Sequence, residues 1–302
     1  MDPTLREKLL DPDALAKAEA LGLHARYVVE GYMSGEHKSP YHGFAIEFAQ
    51  HREYAHGDDM RHLDWKVLGR TDRYYIKQYE QETNYVANVL LDGSESMNYG
   101  SGNLTKLQYG KIMSACLSYL ILHQRDAVAL GIFDDTMRDY APRSNNLATL
   151  PTIMERLANF EATQETDISE ILNHVAMQTR RKGITIIISD CFDDEERIVE
   201  GMQHLRFGGH EVILFHTLDH EELDFPFHGL VEFDGLENIP KILTRPAEIR
   251  ASYLRELEAF NTRLRDACLK NNVHYVLVDT SKPLAQVLSE YLNFRARTAK
   301  AK

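Results

Sequence analysis

Apolar and polar positions along the chain follow two alternating periods. Residues 85–91, 127–133, 184–188, 211–217 and 274–278 form short, nearly continuous apolar runs, as strands of a parallel sheet covered on both faces do. Between them lie longer stretches with apolar residues at helical spacing. In 104–124, Leu107, Ile112, Cys116, Leu117, Leu120 and Ile121 form one broad stripe behind a Thr105 cap. Further helical patterns cover 147–160 with Pro151 near the start, 168–179 opened by Thr166 and Asp167, and 198–207 closed by Gly208 and Gly209. Two more cover 247–270 and 283–294. Strands and helices in this rhythm predict an α/β fold, a doubly wound and mainly parallel sheet with helices on both faces. Two places break the rhythm. Residues 137–140 return as an antiparallel edge strand after the Asp134-Asp135 turn, and 223–239 read as a loop around a short strand at 230–233.

The first part of the chain is different in character. Residues 11–31 suggest one or two short helices, whereas 34–73 mix Gly, His, Tyr and charges without a long period and predict an irregular extension. Within it, Phe44, Ile46 and Phe48 alternate as a short strand would, and Trp65, the only tryptophan, is expected to anchor the segment. Arg52, Asp58, Asp59, Arg61 and Asp64 either form a docking face or tie their own loop down by ion pairs; charges this close in sequence satisfy each other first. Residues 75–79 and 85–91 suggest two strands around a turn at 81–84. The chain thus divides into an N-terminal helix and charged extension (1–84), an α/β domain (85–295) and a short, basic, flexible tail (296–302).

Chemistry concentrates at the ends of the apolar runs. The strand leading from Val89 stops at Asp92, Ser94 and Ser96, which places a carboxylate and two hydroxyls on one turn just beyond the sheet, where doubly wound folds bind ligands. Asp190 ends its own strand in the position that Asp92 occupies on the first, and Thr166 opens a helix in the preceding loop. Five oxygen ligands on one rim suit a hard cation such as Mg²⁺, which needs neither thiolate nor imidazole. A structural alternative accounts for the same residues: Ser94 or Ser96 caps the next helix and Asp92 closes an Asx turn.

Composition narrows the partners. A formal net charge of -12 over 302 residues argues against nucleic acid or an anionic membrane as the main partner. No apolar run reaches the roughly 20 residues of a spanning helix, and the first residues lack the apolar core of a signal peptide, so the expected location is the cytoplasm. Cys116, Cys191 and Cys268, odd in number and far apart, are expected as reduced thiols. His51, His56 and His62 sit in a charged loop without a Cys pair or H-E-x-x-H, which favours solvation over zinc.

Together, Asp92, Ser94, Ser96, Thr166 and Asp190 resemble the metal-ion-dependent adhesion site of von Willebrand factor A domains, a likeness that covers about residues 85–291 in architecture. The resemblance implies a von Willebrand A, Rossmann-like fold in which Ser94 and Ser96 bind Mg²⁺ directly, Thr166 directly or through water, and Asp92 and Asp190 mostly through water, with Mn²⁺ as the alternative ion. Glu165 replaces the familiar glycine before the threonine. Upstream, Glu47-Phe48, Arg52-Glu53-Tyr54, Gly57-Asp58-Asp59, Arg61, Asp64-Trp65 and Arg70 resemble the hallmark of the bacterial DUF58 family, in which this segment precedes a von Willebrand A domain. That family implies an adaptor or chaperone-like role beside a MoxR-type AAA+ ATPase, and many of its members carry two N-terminal membrane helices that this sequence does not show.

The resulting expectation is a non-catalytic, Mg²⁺-dependent protein-interaction module, with a partner carboxylate completing the metal coordination. The alternative is a Mg²⁺-dependent hydrolase or phosphatase. It lacks a G-x-x-x-x-G-K-[ST] loop, a D-x-D at the Asp92 strand end, and any Lys or Arg in the immediate motif to clamp a phosphoryl group.

Overall fold

The computed structural model describes residues 46–54, 63–81, 86–162, 168–178, 183–233 and 241–291. These fall into two compact units, one within Ser34–Asn84 and the other within Tyr85–Lys302. The expected helices at 11–31, the basic tail, and Asp58, Asp59, Arg61 and Thr166 lie outside the described residues.

In the smaller unit, β1 (Ile46–Glu53) pairs antiparallel with β2 (Tyr75–Gln81), and α1 (Trp65–Thr71) lies between them in sequence. This corrects three expectations. Where the segment expected to be irregular is described, a strand and a helix occupy it. The partner of β2 is β1 and not the strand that follows it. Trp65 is 64% exposed at the start of α1, so it is not the buried anchor expected. Of the expected charged set, Asp64 is spent on local structure: buried at the N-cap of α1, it accepts from Lys66 N at 2.9 Å and Val67 N at 3.2 Å. Arg52 lies within β1.

The larger unit is built on a six-stranded sheet. In chain order its elements are β3 (Val86–Asp92), α2 (Lys106–His123), β4 (Ala127–Phe133), β5 (Met137–Ser144), α3 (Leu150–Asn159) and α4 (Ile168–Gln178). They continue with β6 (Ile184–Ser189), α5 (Glu195–Phe207), β7 (Glu211–Leu218), α6 (His220–Asp224), β8 (Val231–Phe233), β9 (Ile242–Thr244), α7 (Pro246–Lys270) and β10 (His274–Asp279). A helix at 284–291 follows. The strand order is β10-β7-β6-β3-β4-β5, parallel except for the antiparallel edge strand β5. This is the doubly wound α/β sheet that the apolar rhythm predicts.

Every residue of β3, β4 and β7 is buried, which explains their continuous apolar runs. One face packs against α2, α3 and the helix at 284–291 through residues such as Val89, Met113, Met154 and Leu288, and the other against α4, α5 and α7 through Leu90, Leu172, Met202 and Leu264. Each large apolar side chain buried this way contributes about 1.5–3 kcal/mol. Gly183 marks the closest approach of two strands: a Cβ there would stand 2.1 Å from the Val86 carbonyl oxygen.

The short strand expected at 230–233 is β8. Two short elements were not expected: its antiparallel partner β9, and α6, which follows β7 directly behind an Asp219–Glu222 capping box. Helix α5 starts three residues before its first expected position because Asp194 caps it, accepting from Glu196 N and Arg197 N. The chain leaves β3 towards β4 on one side and later returns as β6 on the other, so the topological switch point lies between the carboxyl ends of β3 and β6.

Candidate metal-binding rim

Four of the five expected ligands come from the two strand ends at that switch point. Asp92 closes β3, Ser94 and Ser96 follow on the turn, and Asp190 follows β6; each is 6% exposed or less. Gly93 fits tightly between Asp92 and Ser94. A Cβ there would meet the Phe160 ring at 2.4 Å, and its N–H reaches the Phe133 carbonyl at 2.6 Å.

Asp92 Oδ1 accepts from Ser94 N at 2.9 Å, so the Asx turn of the structural alternative exists. Ser94 does not supply the cap of that alternative. Ser94 precedes a short 3-10 turn at Glu95–Asn98 without a side-chain cap bond, and its Oγ lies 3.0 Å from Ser96 Oγ. The two hydroxyls face each other on the rim, Ser94 also bonded to Asp92 and Ser96 to Asp190.

The strand register departs from the expected equivalence of the two aspartates. Leu91 pairs with Ile188, so the residue that follows opposite Asp92 is Ser189, and Asp190 lies one position further on. Ser189 Oγ donates to Asp92 Oδ2 at 2.6 Å and accepts from Cys191 N at 2.8 Å. Cys191 has a left-handed φ of 55°, a conformation that costs a β-carbon residue on the order of 1–3 kcal/mol. The turn is held by that Ser189 bond and by buried His216, whose Nε2 donates to the Asp190 carbonyl at 2.9 Å while its Nδ1 accepts from Tyr275 Oη at 2.8 Å. Burial pushes the His216 imidazole down to about 4, so it acts as a neutral clamp. Cys116, Cys191 and Cys268 are free, buried thiols, and burial raises that of Cys191.

Lys106 is the rim residue that reading the motif alone missed. The first residue of α2, it is buried, and its Nζ lies 2.8 Å from Asp190 Oδ2 and 2.8 Å from Glu222 Oε1. A sequence signal existed: a lysine in the first turn of a helix opposes the macrodipole and needs carboxylates nearby. Glu222 Oε2 accepts from Asp219 N at 2.7 Å, so the capping box of α6 holds the lysine's second partner. Asp219 in turn accepts from Ser101 N at 3.1 Å and Thr280 Oγ1 at 3.1 Å, tying the loop before α2 to the ends of β7 and β10.

This asymmetry separates the two carboxyl groups. Burial, then the charge of Asp190, pushes Asp92 up to about 7 against the bonds from Ser189 and Ser94. Burial also opposes ionisation of Asp190, but the Lys106 ammonium outweighs it and holds that carboxyl below its ordinary value. Lys106 itself is raised: its two carboxylate partners overcome burial.

The family model described as protein of unknown function DUF58 matches residues 50–263, more than half of the chain. The chain belongs to that family. Among curated relatives, the DUF58 chain is 23% identical over 239 residues to the uncharacterized protein Rv1480 of Mycobacterium tuberculosis (strain ATCC 25618 / H37Rv), an alignment that covers 78% of this chain and 74% of that protein. The uncharacterized protein Mb1516 of Mycobacterium bovis matches with the same identity and coverage. Among solved structures, the conserved hypothetical protein BatB from Bacteroides thetaiotaomicron aligns over 70% of this chain and 99% of its own, at 18% identity and a TM-score of 0.43. The SpRpn10 VWA domain aligns over 68% and 94%, at 12% identity and a TM-score of 0.41. The sheet order above, and not these scores, carries the fold. Among the described residues no helix is long and apolar enough to cross a membrane.

Proposed function

We propose that this DUF58 protein is a non-catalytic, Mg²⁺-dependent protein-interaction module of the cytoplasm, and that its partner is a MoxR-type AAA+ ATPase which presents an Asp or Glu to the rim. The observation that supports this reading is the pair of Ser94 and Ser96 hydroxyls, 3.0 Å apart, beside the buried carboxyl groups of Asp92 and Asp190. The donor chemistry fits a hard cation. All donors are oxygen, the direct ones are neutral, and Asp92 is a buried acid whose ionisation burial and Asp190 oppose until positive charge arrives. Ser94 and Ser96 would hold Mg²⁺ directly, Asp92 and Asp190 mainly through water, and Thr166 would add a further oxygen. When bound, the ion supplies an open coordination position for an incoming carboxylate. Without it, Asp92 and Asp190 repel that carboxylate.

The hydrolase reading gains one part, since Lys106 brings a cation to the site. Both of its short contacts are to carboxylates of this chain, Asp190 and Glu222, which engage it before a phosphoryl group does.

To test the proposal, the candidate ATPase is titrated against the protein with Mg²⁺ and with EDTA, and the ATPase's exposed acidic residues are then substituted singly by Asn or Gln. Binding is expected to collapse in EDTA and to depend on one acidic residue. Equal affinity in EDTA rejects the metal bridge, and Mg²⁺-dependent phosphate-ester turnover abolished by Asp92→Ala replaces it with the hydrolase reading.

A further inference from the structure

The metal-centred reading leaves one buried charge without a task. Lys106 is a fixed ammonium on the rim, with its side chain 3% exposed and that of its partner Asp190 2% exposed. A lysine this deep is expensive unless its charge is used, and a hydrophobic residue of like volume could fill the same space.

With the carboxyl groups ionised, Asp92, Asp190 and Glu222 carry three negative charges and Lys106 one positive charge. The rim is then at -2, and a divalent cation brings it to neutrality. Without Lys106 the loaded rim would remain at -1 and would repel a carboxylate. The same ammonium also repels the divalent cation and holds Asp190 Oδ2 at 2.8 Å, so it lowers cation affinity.

Resting on the metal-centred reading, we propose that Lys106 is the residue that sets ligand specificity at this rim: an internal counter-cation that weakens divalent-ion binding and, in exchange, keeps the loaded site neutral enough to accept a carboxylate. Glu222 tunes it from the opposite side. Its other oxygen is held by the α6 capping box, so the position of α6 controls how much of the lysine's charge is left for Asp190. The chemistry requires only that the ligand be a carboxylate, such as an Asp or Glu side chain of a protein partner.

The competing explanation is that Lys106 only positions Asp190. The two differ in sign. If Lys106 is a counter-cation, Lys106→Met binds Mn²⁺ alone roughly tenfold more tightly, by calorimetry or electron paramagnetic resonance at fixed pH and low salt, because a repelling charge is gone. If it only positions Asp190, Lys106→Met binds Mn²⁺ equally or more weakly, and the proposal falls. Glu222→Ala supplies an independent reading on a residue whose side chain is 24% exposed: removing a negative charge must weaken Mn²⁺ binding several-fold, and unchanged or tighter binding overturns the proposal. A third readout is ligand acceptance. At saturating Mn²⁺, acetate should displace metal-bound water, read by proton relaxation, at several-fold higher concentration in Lys106→Met than in the parent. Equal acetate sensitivity rejects the carboxylate half of the proposal. If neither parent nor variants bind Mn²⁺, the metal-centred reading fails instead, and the Lys106 assignment with it.

Discussion

Asp92 and Asp190 stand at the carboxyl ends of adjacent parallel strands, both buried, yet they are different chemical groups. Asp92 receives neutral donors from Ser94 and Ser189, and burial together with the charge of Asp190 carries its carboxyl up to about 7. Asp190 receives an ammonium, and its carboxyl falls below the ordinary value despite equal burial. The difference comes from a third element, the first residue of α2. One aspartate is therefore a permanent anion already in use, and the other is the group whose charge awaits compensation. A site read as a ring of equivalent oxygens is in fact polarised from one side.

Giving both positions the same substitution breaks the comparison most sharply. Asp190→Asn leaves Lys106 buried with Glu222 alone and is expected to cost about 3–5 kcal/mol of stability in EDTA, whereas Asp92→Asn at pH 7 should cost about 1 kcal/mol or less, because the native group is half neutral there. Urea denaturation of the two variants checks this. Equal losses would show that the polarisation is not real.

A smaller effect follows from pH. Unfolded, Asp92 releases its proton near 3.8; folded, it keeps it to about 7. The folded state therefore binds more protons in between, and metal-free stability must fall as pH rises from about 4 to about 7, by a few kcal/mol at most. Asp190 has the opposite sign: its stabilisation is full above 3.8 and is lost only as pH falls through its lower folded value. Asp92→Asn should flatten the slope between pH 4 and 7 and leave the acid limb intact. A slope that survives the substitution would assign it to another group.

The smallest expected stability change belongs to the paired hydroxyls. Ser94→Ala with Ser96→Ala removes side-chain bonds at the rim, including the one between the two hydroxyls, and leaves the strand ladder of the sheet intact, so the fold should hold to within about 1 kcal/mol while Mn²⁺ binding is lost. Gross unfolding of the double variant would make the serines structural.

The buried strands and the helices between them were legible because their signals are local. A run such as Ala127–Phe133 is apolar at every position since both faces are covered, and Thr105 reads as a cap because its partner, Gln108, is three residues away. The polar strand ends were legible for the same reason: side chains that interrupt an apolar run mark where the core stops. Trp65 shows where this kind of reading fails. Its size suggests an anchor, yet with its side chain largely in solvent at the start of α1 it supplies little burial.

By itself, then, the sequence determined the α/β rhythm, the ends of the parallel strands, and the cluster of Asp92, Ser94, Ser96 and Asp190 on one rim. Only the tertiary structure decided which of those groups are alike. The register that sets Ser189 opposite Asp92, the pairing of β2 with β1, and the meeting of Lys106 with Asp190 and Glu222 across 84 and 116 residues leave no local period to read. They follow from how a doubly wound sheet orders its strands and lays α2 and α6 against one edge, and charge acts through space between whatever that order brings within a few ångströms.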